Sequence, residues 1–238
     1  MLILLLEAFM KTTLVLVLSI LALSQCMNLL KEDIVGDWIE KHPNVEWVVD
    51  TEMYKTKYVA EELYSFEHNK IKMQYTSYDI KKPAFDILFD YEDGLMFIYY
   101  NKTDKCRAFP LEKKNMADMY KKVFDGSEFV AKRGHLDLYT FTMPEEKVKS
   151  YLYGKFEKNA DEDNELTFTP IRQQTHSDVI RQEFQVEWVD SIGFPKVSAD
   201  AFDYPKCKKS AVYGETIPAT RGIFGANLGL MDLVIENM

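Results

Sequence analysis

One stretch of the sequence, residues 84–110, constrains the fold more than any other. Large apolar residues alternate with polar ones up to the pair Asp93-Gly94, and a second, mostly apolar run follows the pair. A period of two that is broken by Asp-Gly is typical of a β-hairpin, because glycine adopts the positive φ of a tight turn without steric cost. The second run is apolar on both of its faces. The sequence therefore predicts a hairpin inside a sheet that is covered on both sides.

The rest of the chain predicts an all-β fold with a few short helices. Short runs rich in β-branched and aromatic residues recur between turn-forming residues, and aromatic residues make up 13% of the chain. Residues 112–124 have the best helical spacing, with apolar residues three and four positions apart and a stop at Asp125-Gly126. This organisation is typical of an antiparallel sandwich or an open barrel.

Residues 1–24 have the layout of a secretory signal peptide. Lys11 precedes a short apolar run, and small residues end the segment, which is the order of charge, apolar core and cleavage site that such leaders share. The run is shorter than the roughly 20 apolar residues that span a membrane, so a retained anchor is the less favoured alternative. Both Met1 and Met10 are candidate start residues.

After cleavage the chain is long enough for one large all-β domain or two small ones. We assign residues 25–207 to one β domain, because no repeat and no linker divides them, and residues 208–238 to a C-terminal tail. The tail is either a docking segment or an exposed amphipathic tail, and the sequence leaves both open. The net charge of −9 argues against nucleic acid and anionic membrane surfaces as the main partners.

The three cysteines are Cys26, Cys106 and Cys207. In an oxidising compartment the simplest pairing joins Cys106 to Cys207, because Cys26 lies at or beside the predicted cleavage site. Such a bridge closes a loop of about a hundred residues, worth roughly 4–5 kcal/mol in the chain-entropy model. If Cys26 stays in the mature chain, its thiol is left over for pairing between chains.

The sequence gives no reason to propose an enzyme. The four histidines do not fall into a metal-ligand spacing, and no nucleophile elbow, phosphate loop or dinucleotide fingerprint occurs. The acidic run that contains Asp161, Asp163 and Glu165 offers oxygen ligands for at best a weak calcium site, and a solvated loop is the favoured interpretation. The sequon that begins at Asn101 lies in a turn, so the sequence predicts an N-linked glycan there.

Three stretches together resemble the ependymin-related proteins. They are FDILFDYEDGLMFIYYNKTDKC at residues 85–106, TPIRQQT at residues 169–175, and the run from Phe184 through Ile192-Gly193 and Phe202 to Pro205-Lys206-Cys207. Family members usually carry more cysteines. The chain has Phe168 two residues before Pro170, so a disulfide from that position is absent. For this chain the resemblance implies the same bridge between Cys106 and Cys207 that counting favours.

The resemblance also implies a fold and a function. The fold is two stacked, strongly curved antiparallel sheets that form an open half-barrel, similar to bacterial lipoprotein carriers. The function is that of a secreted glycoprotein, with the lysosomal lumen as another compartment, that holds a lipid or fatty-acid-like ligand in an apolar cleft. Family members are linked to the extracellular matrix, calcium and cell adhesion, and many are dimers.

We therefore predict a non-enzymatic protein with a hydrophobic ligand as its partner, no nucleic acid partner and no cofactor other than calcium. The alternative is a calcium-linked matrix or adhesion protein with a fully packed interior. Periodicity cannot tell core aromatics from cleft aromatics, so the predicted ligand-binding residues are the apolar residues of the central hairpin and of a late strand: Phe85, Ile87, Phe89, Phe97, Tyr99, Phe184, Val186 and Trp188.

Overall fold

The computed structural model describes residues 39–53, 56–79, 81, 84–143, 148–158, 166–177, 182–188, 193–204, 207, 211–217 and 219. The chain divides into two compact units, Met1–Lys41 and His42–Met238. Of the first unit the structure describes a helical turn at residues 39–41, and the predicted signal peptide lies outside the described residues. Among the helices that the structure describes, none combines the length and the apolar character needed to cross a membrane.

Strands dominate the described part of the second unit. Their bounds are β1 Asn44–Met53, β2 Thr56–Ser65, β3 Lys70–Ser77, β4 Phe85–Asp90, β5 Leu95–Tyr100, β6 Lys105–Pro110, β7 Glu128–Arg133, β8 Leu136–Met143, β9 Val148–Lys158, β10 Leu166–Ser177 and β11 Gln182–Trp188. One helix, α1, spans Met116–Asp125, and a short 3-10 helix spans Ala199–Phe202.

These strands form an open antiparallel sheet in the order β6-β5-β4-β3-β2-β1-β11-β10-β9-β8-β7. Two meanders, β1–β6 and β7–β11, take the place of the two predicted sheets. Antiparallel pairing of β1 with β11 joins the meanders into one hydrogen-bonded sheet. The two ends of this order, β6 and β7, are not paired with each other. The predicted all-β class and its open, antiparallel architecture are confirmed.

The central hairpin forms as predicted. β4 and β5 pair in register on either side of a turn in which Gly94 has a φ of 71°, and the backbone N–H of Gly94 donates to the carbonyl of Asp90. The register places Phe85, Ile87 and Phe89 opposite Tyr100, Ile98 and Met96. We name the sheet face that carries these six residues face A, and the opposite face, which carries Leu88 and Phe97, face B. Every residue of β4 is buried, so both faces are covered here.

Over β2 to β5, face A is the main core of the protein. Its apolar side chains lie opposite one another in register, and helix α1 contributes the buried Met116 and Met119. The helix begins at Met116 because the side chain of Asn115 accepts a hydrogen bond from the backbone N–H of Asp118, as a helix cap does. The largest of the fully buried side chains that the structure describes are Tyr75, Tyr91, Phe85, Phe89, Ile71, Met73, Ile87, Met96, Ile98 and Met116.

On face B, the described residues 193–204 and 207 run from β1, where Gly193 forms a bridge with Glu46, to the surface of β4 to β6. Phe202 and Cys207 form a buried cluster with Leu88, Phe97 and Ala108. A disulfide joins Cys106 to Cys207, so the pairing predicted from the cysteine count is confirmed. The bridge fixes the end of this covering segment to β6.

Part of the C-terminal tail runs beside the edge strand β6. Val212 and Ile217 form parallel bridges with Ala108 and Leu111, and the backbone N–H of Ile217 donates to the carbonyl of Pro110 at 2.8 Å. An unpaired strand edge is a template for aggregation. Residues 211–217 therefore dock on this edge and cover part of it.

Candidate functional site

The hairpin residues predicted to bind a ligand lie on opposite faces of the sheet. Phe85, Ile87 and Phe89 are on face A, where at most 1% of each residue is exposed. Phe97 and Tyr99 are on face B, because the register sets Phe97 opposite Leu88 and Tyr99 opposite Asp86. The structure therefore does not bring these residues together around one cleft. Those on face A fill the packed core.

Phe97 and Tyr99 support the covering segment of face B. Phe97 belongs to the buried cluster around the disulfide. The hydroxyl of Tyr99 donates to Asp104 at 2.6 Å, and its ring lies 5.7 Å from the ring of Tyr204. Both residues have structural neighbours that account for their positions.

The other predicted sites are placed only in part. In β11, Val186 pairs with Thr51 and Trp188 pairs with Val49, and Phe184 pairs with Thr175; their side chains lie outside the described part of the chain. The predicted calcium ligands Asp161, Asp163 and Glu165 also lie outside the described residues, and no group of three or more potential ligands occurs among the residues that are described.

Asn101, the predicted glycosylation site, lies in the exposed turn between β5 and β6. Its side-chain amide donates to Asp86 at 3.2 Å, on the face B side of β4. An exposed turn is the setting in which a sequon is accessible for modification. The glycan itself stays a prediction.

Face A continues through β1 and β11 to the second meander, where it is less covered. Across the sheet, Thr51 pairs with Val186, Val186 with Gln173, and Gln173 with Leu152. Leu152 then pairs with Tyr139, and Tyr139 pairs with Phe129. We name Phe129, Tyr139 and Leu152 the open strip. The rings of Phe129 and Tyr139 lie 5.6 Å apart, and 56% of Phe129 is exposed. Tyr139 and Leu152 are partly exposed. The same face that is sealed over β2 to β5 thus presents apolar surface over β7 to β9.

A carboxyl group lies on face A at β2, the strand of the sealed part that lies nearest the open strip, with β1, β11 and β10 between β2 and β9. Glu62 of β2 is buried, and its Oε2 atom accepts hydrogen bonds from the indole N–H of Trp47 at 2.7 Å and from the hydroxyl of Tyr64 at 2.9 Å. Burial raises the pKa of the Glu62 carboxyl above its ordinary value, and the two hydrogen bonds oppose this shift only in part. The carboxyl therefore holds its proton to higher pH than an exposed glutamate.

Aromatic rings surround this carboxyl. The ring of Tyr64 lies 4.6 Å from that of Trp47 and 6.1 Å from that of Tyr120, and Tyr120 lies 5.3 Å from Phe66. Burial, followed by the nearby Glu62, raises the pKa of Tyr64 well above its ordinary value, so Tyr64 is a hydrogen-bond donor throughout the physiological range. Trp47, Phe66 and Tyr120 remain partly exposed, so the cluster is accessible from one side.

The sequence contained a signal for this cluster that the prediction missed. From Tyr58 to Tyr64, every second residue of β2 is buried, and this series contains one glutamate among apolar and aromatic residues: Tyr58, Ala60, Glu62 and Tyr64. The periodicity of residues 54–66 is mixed, and that hides the series. The exposure of the open strip was not predicted.

One described depression on the surface has a different character. It lies against α1, has a volume of about 350 Å³, and is lined by polar and basic residues around one methionine: Lys114, Asn115, Asp118, Met119, Lys121 and Lys122. Such a lining does not suit an apolar ligand. This depression is therefore not a candidate site for an apolar ligand.

No protein-family model matches the chain, and no curated protein matches it. Several solved structures are similar to it at low sequence identity. An uncharacterized conserved protein from Thermus thermophilus is 10% identical, with a TM-score of 0.49 over 75% of this chain and 97% of that one. A putative outer membrane lipoprotein-sorting protein domain from Vibrio parahaemolyticus is 8% identical, with a TM-score of 0.40 over 74% and 97%. A DUF1329 family protein from Desulfovibrio piger is 9% identical, with a TM-score of 0.32 over 72% and 95%.

Proposed function

We propose that the protein is a secreted, non-enzymatic binding protein that holds a lipid or fatty-acid-like ligand against face A of its sheet. One observation carries the proposal. Face A is buried over β2 to β5, yet over β7 to β9 the open strip remains partly exposed in the same register. Ligand sites of this kind are mostly apolar and contain a few well-placed polar groups.

Among the described residues, helix α1 is too short to cover the whole of face A. Helix α1 has ten residues, so it is about 15 Å long at 1.5 Å per residue. Neighbouring strands lie roughly 4.8 Å apart, so a helix of this length reaches across at most about three strands of the eleven-stranded sheet. We propose that a bound acyl chain covers the open strip, with each buried methylene contributing about 0.8 kcal/mol.

Other features agree with a secreted carrier. A disulfide between Cys106 and Cys207 suits an oxidising compartment, and the sequon at Asn101 lies in an exposed turn. Secretion, the glycan at Asn101, the lysosomal lumen as another compartment, and kinship with the ependymin-related proteins remain predictions from the sequence. Homodimer formation and a matrix partner also remain predictions.

The proposal is tested by placing a charge on the open strip. Leu152→Asp puts a carboxylate on face A, and the matched control Tyr151→Asp puts one at the neighbouring position of the same strand on the opposite face. With the uncharged fluorescent probe N-phenyl-1-naphthylamine, we expect binding to the Leu152 variant to weaken by roughly ten-fold or more, because a charge opposes apolar burial. We expect binding to the Tyr151 variant to stay close to that of the unsubstituted protein.

Far-ultraviolet circular dichroism must show that both variants are folded. If Leu152→Asp fails to fold, the milder Leu152→Ser replaces it and is expected to weaken binding in the same direction. Equal binding by the face A and face B variants, or no probe uptake by the unsubstituted protein, would overturn the proposal.

A further inference from the structure

We propose that Glu62 is the polar anchor of the face A ligand site and that it receives the cationic amine head group of a lipid-like ligand. This inference rests on the proposed function, because it assigns a chemical class to the ligand of the same site. Its evidence is the placement of one carboxyl group, the hydrogen bonds that this group makes, and the aromatic rings around it.

The placement is unusual for a structural glutamate. Glu62 lies on face A with Met73 and Trp47 as its register neighbours, and the flanking positions of its own strand on that face are Ala60 and Tyr64. Burying a carboxyl among apolar groups is costly unless hydrogen bonds or a cation compensate it. A glutamine or a methionine would fill this position at lower cost. A reason for a carboxyl is therefore needed.

Two other buried carboxylates of the protein show how such groups are compensated. Asp90 is paired with the ammonium of Lys70 at 2.8 Å. Asp86 accepts hydrogen bonds at both of its oxygens, from Asn101 at Oδ1 and from Tyr204 at Oδ2. Both groups are satisfied by the fold itself.

Only one of the two carboxyl oxygens of Glu62 accepts hydrogen bonds from the described residues. Both of its hydrogen bonds, from Trp47 and Tyr64, end on Oε2. Within the described part of the chain, no donor reaches Oε1 and no cationic side chain pairs with this carboxyl. Oε1 is thus the oxygen that remains for a ligand, and a cation is the group that the site lacks.

The surrounding rings favour the same chemistry. Trp47, Phe66 and Tyr120 belong to β1, to the turn after β2, and to α1, and each is partly exposed. The faces of aromatic rings attract cations, and an ammonium close to both a carboxylate and aromatic rings gains from each of them. The rings pack on one another at 4.6–6.1 Å, so the head group would lie at their exposed side. A fatty-acid carboxylate would instead face a group of its own charge once Glu62 is ionised.

The test uses three probes with the same twelve-carbon chain and different head groups: dodecylammonium, dodecanol and dodecanoate. Titration calorimetry on the full chain, below the concentrations at which the probes form micelles, gives their affinities. We expect the ammonium probe to bind roughly ten-fold or more tightly than the other two, which corresponds to about 1.4 kcal/mol. We expect Glu62→Gln to remove this preference by weakening the binding of the ammonium probe.

Glu61→Gln is the matched control. It removes the same charge from the adjacent, exposed residue on face B, and we expect it to keep the preference for the ammonium. Equal binding of the three probes by the unsubstituted protein, or an undiminished preference in Glu62→Gln, would overturn the head-group inference while the ligand site on face A stands. Absence of binding by all three probes would overturn the proposed function and this inference together.

Discussion

Removing the disulfide should cost the protein a large and calculable part of its stability. The bridge joins Cys106 to Cys207, which are 101 residues apart in the sequence. In the chain-entropy model, a loop of about this length stabilises the folded state by roughly 4.7 kcal/mol at 25 °C, because it restricts the unfolded chain. For a domain of this size, each kcal/mol corresponds to about 2–4 °C in the melting temperature. The double substitution Cys106→Ala with Cys207→Ala should therefore lower the melting temperature by roughly 10–19 °C.

Urea unfolding with and without a reductant separates the cross-link from the loss of packing. When it is reduced, the unsubstituted protein should lose most of the free energy of unfolding by which it exceeds the double variant. The free energy of unfolding of the double variant should not change with the reductant. The m-value should rise when the bridge is absent, because the unlinked chain exposes more surface on unfolding. Phe202→Ala is the control. It opens a cavity in the same buried cluster and should cost about 3–5 kcal/mol in either redox condition. Equal stability of the oxidised protein and the double variant would refute the reasoning.

Two further predictions concern single residues. The pKa of Glu62 is raised in the folded state from its ordinary value of 4.5, so the free energy of unfolding should fall as pH rises from about 4.5 through the raised pKa. Glu62→Gln should remove that fall. Equilibrium unfolding measures the free energy of unfolding of both proteins over this pH range, and parallel curves for the two would contradict the prediction. Gly94→Ala places a methyl group 2.8 Å from a lysine side chain at a φ of 71°, whereas Gly134→Ala, at a φ of 65°, meets nothing within 4 Å. Both should destabilise by about 1–2 kcal/mol for the left-handed backbone, and Gly94→Ala should cost more; equal melting temperatures would show that the added contact is relieved.

Local sequence signals predicted the hairpin and the helix well. Asp93-Gly94 turns where the alternation predicts it, because the turn and its flanking strands depend on neighbours in the sequence. The predicted helix at residues 112–124 was displaced at its start, since Asn115 caps it and α1 begins at Met116. The disulfide was predicted from the three cysteines together with the predicted cleavage site at or beside Cys26.

Long-range pairing was beyond the sequence signals. Alternation shows that Phe97 and Tyr99 share a face, but only the register with β4 shows that this face is not the one that carries Phe85. In the same way, the pairing of β1 with β11 joins residues that are far apart in the chain. No local pattern indicates that a single sheet results.

The candidate site was only partly predictable for the same reason. Trp47, Glu62 and Tyr120 come from β1, β2 and α1, so their proximity depends on the packing of a helix on the sheet. The exposure of Phe129 and Tyr139 depends on how far the cover of face A extends. The sequence identified the apolar strands, and tertiary packing decides which of them are core.

Native mass spectrometry of the protein secreted from eukaryotic cells, followed by organic extraction and lipid analysis, tests the central claim most directly. The account predicts a stoichiometric co-purifying lipid, which is lost when Leu152→Asp is purified in the same way. A protein of clean apo mass that takes up neither added fatty acids, phospholipids nor long-chain amines would contradict the account.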